Sequence, residues 1–205
     1  MHVVHLIAVE ADDEESAVKA AESAISGYGD GDVWDWYVVG GRWEGKLNGK
    51  NVLRFTDDKH TFIEAVNGAI ESRNYEFRSL RDHLKGAVIK EDDVDDIGGF
   101  GFPIDDKPRV AKLRTEANKG CRRAFNKMLN CDTVEEFEDS HVKGDSSHFM
   151  LSYYLRKMGQ LLGDRYCFDS MFYDSVDYTT SAKHLWGRLE TDPEHQWLVV
   201  LDLHN

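Results

Sequence analysis

A chain of 205 residues with 41% hydrophobic, 11% aromatic and 31% charged residues can bury its own core, and that balance excludes collagen-like, coiled-coil-only and wholly disordered architectures. Lys and Arg total 25 against 38 Asp and Glu, a formal net charge of −13 that argues against general nucleic-acid binding. No apolar run approaches the roughly 18 residues a bilayer crossing needs, and no basic leader marks the first residues, so the expectation is a cytoplasmic protein with no membrane partner.

Cys121, Cys131 and Cys167 are an odd set without C-x-x-C spacing, which fits a reducing compartment and leaves a pairing of two of them open. Cys121 alone sits beside basic residues, Arg122 and Arg123.

Residues 3–9 form a short, β-branched apolar run and are expected to be a buried strand. Asp12 and Glu15 then have capping-box spacing, and Ala17, Val18, Ala21, Ala24 and Ile25 fall on one helical face. After the glycine-rich residues 27–31, Trp34, Trp36 and Val38 alternate with Asp35, Tyr37 and Val39 as in a two-sided strand, turned by Gly40 and Gly41. Residues 42–47 and 51–55, separated by Asn48-Gly49, predict a hairpin.

From Asp57 the period becomes helical through Phe62, Val66, Ile70, Phe77 and Leu84, with Gly68 as a candidate kink. Residues 91–108, rich in Asp with two Pro and a Gly-Gly-Phe-Gly run, predict a loop. Two further amphipathic helices follow, one carrying Cys121, Ala124 and Met128, the other Tyr153, Tyr154 and Met158 and closing at Gly163. Residues 165–172 predict a strand, 179–189 a short helix and 197–203 a final strand. Strands at both termini predict a single α+β domain over residues 1–205 with a helical insertion at about 57–163, its terminal strands adjacent in a mixed or antiparallel sheet, ferredoxin-like in the specific form.

The densest chemistry lies in Trp34, Asp35, Trp36, Tyr37, Gly40, Gly41, Arg42 and Trp43, which gather three of the five tryptophans. The glycines allow close backbone approach. Arg42 could pair with Asp35 or grip a phosphate or carboxylate. A binding surface and a packed aromatic hairpin both fit these residues. The segment resembles a group of short proteins, many from phages and other mobile elements, that carry a W-D-W-Y-x-x-G-G-R-W-like signature. That resemblance implies a source, and it carries over no catalytic residue.

Arg165 and Asp169 are secondary candidates, Asp169 as a general base or as a partner of Arg42; ordinary sheet packing is the alternative. His141 and His148 lack metal-ligand spacing, and the acidic residues near 92–96 miss key calcium positions, so no metal or cofactor is expected. Residues 107–127 hold eight basic residues and one acid, +7 against −20 elsewhere, a face for an anionic partner or one neutralised within the protein. The resulting expectation is an accessory protein of phage or mobile-element type that binds a protein partner, in anti-defence or host takeover. The alternative is an enzyme or sensor for a nucleotide or other phosphorylated ligand, with Arg42 and Tyr37 as contacts.

Overall fold

The computed structural model describes residues 2–26, 36–96, 107–141, 147–163 and 170–204. They divide into two compact units. The first holds described residues 2–26, 36–74, 147–149 and 170–204; the second holds 75–96, 107–141 and 150–163.

The first unit is built on one mixed sheet. Its strands are β1 (His2–Glu10), β2 (Trp36–Val39), β3 (Val52–Arg54), β4 (Ser170–Asp174) and β5 (Gln196–His204). The order is β2-β5-β1-β4, with β3 also on β5. β1 and β5 pair antiparallel along their full length, His2 opposite His204 and Glu10 opposite Gln196, so the terminal strands are neighbours as their apolar runs predict. β4 runs parallel to β1, Val4 opposite Ser170 and Ala8 opposite Asp174.

The second edge of β5 is shared. Trp36–Val39 pairs with residues 201–204, and Val52–Arg54 pairs with 197–199. Between them the Gly40 amide donates to the Val200 carbonyl at 2.9 Å, and the Val200 amide donates to the Asn51 carbonyl at 2.9 Å. β2 and β3 are therefore one strand lane interrupted by a loop over residues 41–51. This differs from the ferredoxin-like arrangement, because β2 and β3 use the same edge of β5 and cannot pair with each other.

Alternation places Val4, Leu6 and Ala8 with Leu198 and Val200 on one sheet face. There they meet Phe62, Val66 and Ala69 of α2 (Lys59–Gly86), Leu185 and Leu189 of α7 (Lys183–Thr191), and Leu47, Leu53 and Phe55. α1 (Glu14–Ser26) packs on the sheet with Ala17, Ala21 and Ile25 buried. Cover on both faces explains why β1 and β5 are mainly apolar and buried in nearly every position. Asp58 caps α2, its Oδ1 accepting from the Thr61 amide at 3.0 Å, and this bond holds the carboxyl below its ordinary range. The helix passes through Gly68 without interruption.

The second unit is helical. It contains the C-terminal part of α2, then α3 (Glu91–Asp96), α4 (Lys107–Met128), α5 (Val134–His141) and most of α6 (Ser147–Gln160). Phe77, Leu80, Cys121, Ala124, Phe137, Leu151 and Met158 are all buried. Arg81 ties α2 to the turn before α5, its Nη1 donating to the Cys131 carbonyl at 2.8 Å and to Asp132 at 2.5 Å. Cys121 and Cys131 are buried and form no disulfide among the described residues; Cys167 lies outside the described residues.

Three local expectations are corrected. Residues 42–47 form a 3₁₀ turn (Gly41–Trp43) and further turns rather than a strand, since the backbone bonds Trp43 N to Gly40 O and Glu44 N to Gly41 O curl the chain. The hairpin shrinks to the Leu47–Lys50 bridge around Asn48 and Gly49, both at positive φ. Part of the expected acidic loop is α3, whose entry is capped where Asp93 accepts from the Lys90 amide at 2.9 Å.

At the C-terminal ends of β1 and β4, Arg188 of α7 reaches Glu10 at 3.2 Å and Asp174 at 2.7 Å, and also pairs with Asp177. Asp174 is fully buried and its Oδ2 has no hydrogen-bond partner among the described residues. Burial raises its pKa above the ordinary value, more than Arg188 lowers it.

Two outcomes follow from this frame. Deleting residues 198–205 removes the strand that joins β1 to β2 and β3, and cooperative thermal unfolding should disappear. Arg188→Met should lower stability by about 3 kcal/mol at neutral pH, because it leaves the Asp174 carboxylate buried without its cation. The deficit should shrink on acidification: the folded-state pKa of Asp174 lies above its unfolded value, so ionisation opposes folding fully above the folded pKa and not at all below the unfolded one. Denaturant unfolding at several pH values measures both the size and the trend.

Candidate functional site

Trp36, Tyr37, Gly40, Gly41, Arg42 and Trp43 lie within the described residues, and the sheet distributes them unequally. Trp34, Asp35, Arg165 and Asp169 lie outside the described residues. β2 alternates as expected: Trp36 and Val38 are each 43% exposed, whereas Tyr37 and Val39, on the opposite face, are half-buried. Trp43 packs against the core cluster of the first unit, so it anchors the 41–51 loop. Leu47, wholly buried, is a second anchor of that loop.

The glycine pair is required by close approach. Gly40 has φ 75°, and a Cβ there would stand 2.4 Å from the Asn51 side-chain nitrogen. Gly41 has φ 55°, and a Cβ there would stand 2.5 Å from Asp202. Both conformations disfavour L side chains. Asn51 closes the neck of the loop, its Oδ1 accepting from the Gly45 amide at 2.7 Å.

The residue that organises this end of the sheet is Asp202 of β5. It is 1% exposed. Its Oδ2 accepts from the Arg42 amide at 3.0 Å, and its Oδ1 is 2.8 Å from His2 Nδ1. The carboxylate thus fixes the loop through the backbone of Arg42 and the N-terminal strand through His2. His2 meets Trp36 and His204 edge-on, at 5.3 and 4.8 Å, and Trp36 stacks flat on His204 at 5.2 Å with an interplanar angle of 7°.

The Arg42 side chain is exposed and makes no hydrogen bond or ion pair among the described residues; its main-chain amide is what the fold uses. The expected pairings of Arg42 with Asp35 and Asp169 involve residues outside those described. Sequence reasoning passed over His2, Asp202 and His204. Asp202 interrupts an otherwise apolar strand, and a charge in that context was the available signal.

The surface therefore presents an indole, a valine, two imidazoles and a guanidinium that is unpaired among the described residues. No hydroxyl or thiol is hydrogen-bonded to His2 among the described residues, so the His2–Asp202 pair has no nucleophile to activate there. The arrangement is suited to binding. Among the described residues no group of three or more His, Cys, Asp or Glu side chains is placed to hold a metal ion, and no helix is long and apolar enough to cross a membrane.

No protein-family model, curated protein or solved structure matches the chain.

Gly41→Ala should destabilise the first unit by about 2 kcal/mol, combining a left-handed backbone with a clash against Asp202. Arg42→Lys should leave melting unchanged, because the amide that bonds Asp202 is retained. Paired thermal melts of the two variants check both statements.

Proposed function

We propose that this is a binding protein, an accessory protein of phage or mobile-element type that acts in the cytoplasm by engaging a protein partner through the β2 face. The observation that carries this reading is the exposure of Trp36, Val38 and Arg42, the Arg42 side chain being unpaired among the described residues, on a sheet whose strands β1 and β5 are buried along most of their length. Trp and Arg are the residue types that dominate protein–protein hot spots, and a patch held rigid before binding loses little entropy when it docks. Asp202 supplies that rigidity from beneath. The phage or mobile-element source rests on the likeness of the tryptophan segment alone, and an anti-defence or host-takeover role follows that likeness by analogy.

The test is affinity capture from lysate of the cell that carries the gene, with wild-type protein and with Trp36→Ala/Arg42→Ala. Wild type should retain at least one protein that the double variant loses, while both melt at the same temperature. Identical captured sets from two equally stable proteins would overturn the reading.

A further inference from the structure

Outside the β2 face, the second unit contains a cavity of about 620 Å³ between α4, α5 and α6. Apolar and polar surface both line it, and the side chains there include two cations: Arg123, Asn126 and Lys127 from α4, Ser140 and His141 from α5, and Tyr154 from α6. A volume of that size suits a small molecule.

The two cations are available. Lys127 makes no hydrogen bond or ion pair among the described residues, and Arg123 uses only its Nε, which donates to the Lys119 carbonyl at 3.3 Å. Both are exposed. One helical turn separates them, which places a guanidinium and an ammonium on the same face. They belong to the basic stripe that carries +7 within residues 107–127.

His141 gives the cavity its polar floor. Its ring stacks on Phe137 at 5.6 Å and meets the Tyr154 ring edge-on at 4.8 Å, so its orientation is fixed from both sides. Its Nε2 is buried and has no hydrogen-bond partner among the described residues. A buried ring nitrogen without a partner is an energetic deficit that a bound polar group would relieve. Desolvation, then Arg123 and Lys127, lower the His141 pKa, which keeps the imidazole neutral near neutral pH and leaves the anion's charge to those two residues. Burial raises the Tyr154 pKa, so its phenol stays a neutral donor.

We infer that this cavity binds the phosphate group of a small phosphate monoester, held by Arg123 and Lys127 and hydrogen-bonded by His141. A fork and a point charge on one side, with neutral donors on the other, match a compact dianion. A polyanion is a poor fit, because the −20 carried by the rest of the chain opposes its approach, whereas a small anion meets only the local field.

The test uses the full chain and three probes, inorganic phosphate, phenyl phosphate and a duplex oligonucleotide, by calorimetry and amide chemical shifts near neutral pH. Phenyl phosphate should bind and shift α4 and α5 resonances. Arg123→Gln/Lys127→Gln should weaken binding at least ~10-fold without lowering the melting temperature, since both side chains are exposed. His141→Phe, which keeps the stack and removes the ring nitrogens, should also weaken it. Lys127→Gln alone serves if the double variant melts early. Absence of binding at phosphate concentrations on the order of millimolar, affinity unchanged in these variants, or tighter binding of the duplex through the same residues would each overturn the inference.

Discussion

The first unit depends on both edges of β5 being filled along its length. One edge is closed by β1, residue for residue. The other is closed by β2, Gly40, Asn51 and β3 in succession. A buried strand with an open edge would leave unpaired amides and carbonyls away from water, at a cost comparable to a lost hydrogen bond for each. The interrupted lane avoids that cost while ejecting an 11-residue loop, residues 41–51, onto one sheet face. The Trp36–Arg42 surface is a product of that ejection.

Asp202 makes the arrangement specific. A carboxylate buried among leucines and valines is tolerated only when its oxygens are satisfied, and here a backbone amide and an imidazole share them. The same bonds force Gly41 to lack a side chain. Strand register, loop geometry and the placement of Arg42 are thereby coupled through one side chain. Arg188 plays the corresponding part at the far end of β1, where Glu10, Asp174 and Asp177 converge on it.

The two surfaces proposed for binding differ in chemistry because their supports differ. The β2 face presents aromatic and aliphatic groups on a sheet, a setting suited to a protein partner. The helical cavity presents cations and neutral donors on three helices, a setting suited to a small anion. Each stands within its own compact unit. In the basic stripe of α4, which the sequence left between an anionic partner and internal neutralisation, Arg123 and Lys127 form no salt bridge among the described residues, although Glu116 lies within electrostatic reach of Arg123.

By itself the sequence determined the elements whose signal is local. Two apolar runs marked β1 and β5, helical periodicity marked α1, α2, α4 and α6, and Gly40-Gly41 marked a turn. The α+β class and the adjacency of the terminal strands followed from needing to cover both faces of those runs. α5 was legible but unread: Thr133 and Glu136 have capping-box spacing, and their side chains accept from the Glu136 and Asp132 amides at 3.1 and 2.7 Å. Tertiary structure alone decided that β2 and β3 share an edge, since pairing at that range depends on which strand has amides to satisfy and leaves no local trace. It alone divided the tryptophans, packing a half-buried Trp43 against the core as a loop anchor and exposing Trp36. It alone joined His2 to Asp202 across 200 positions, because side chains so far apart in sequence meet only through strand register.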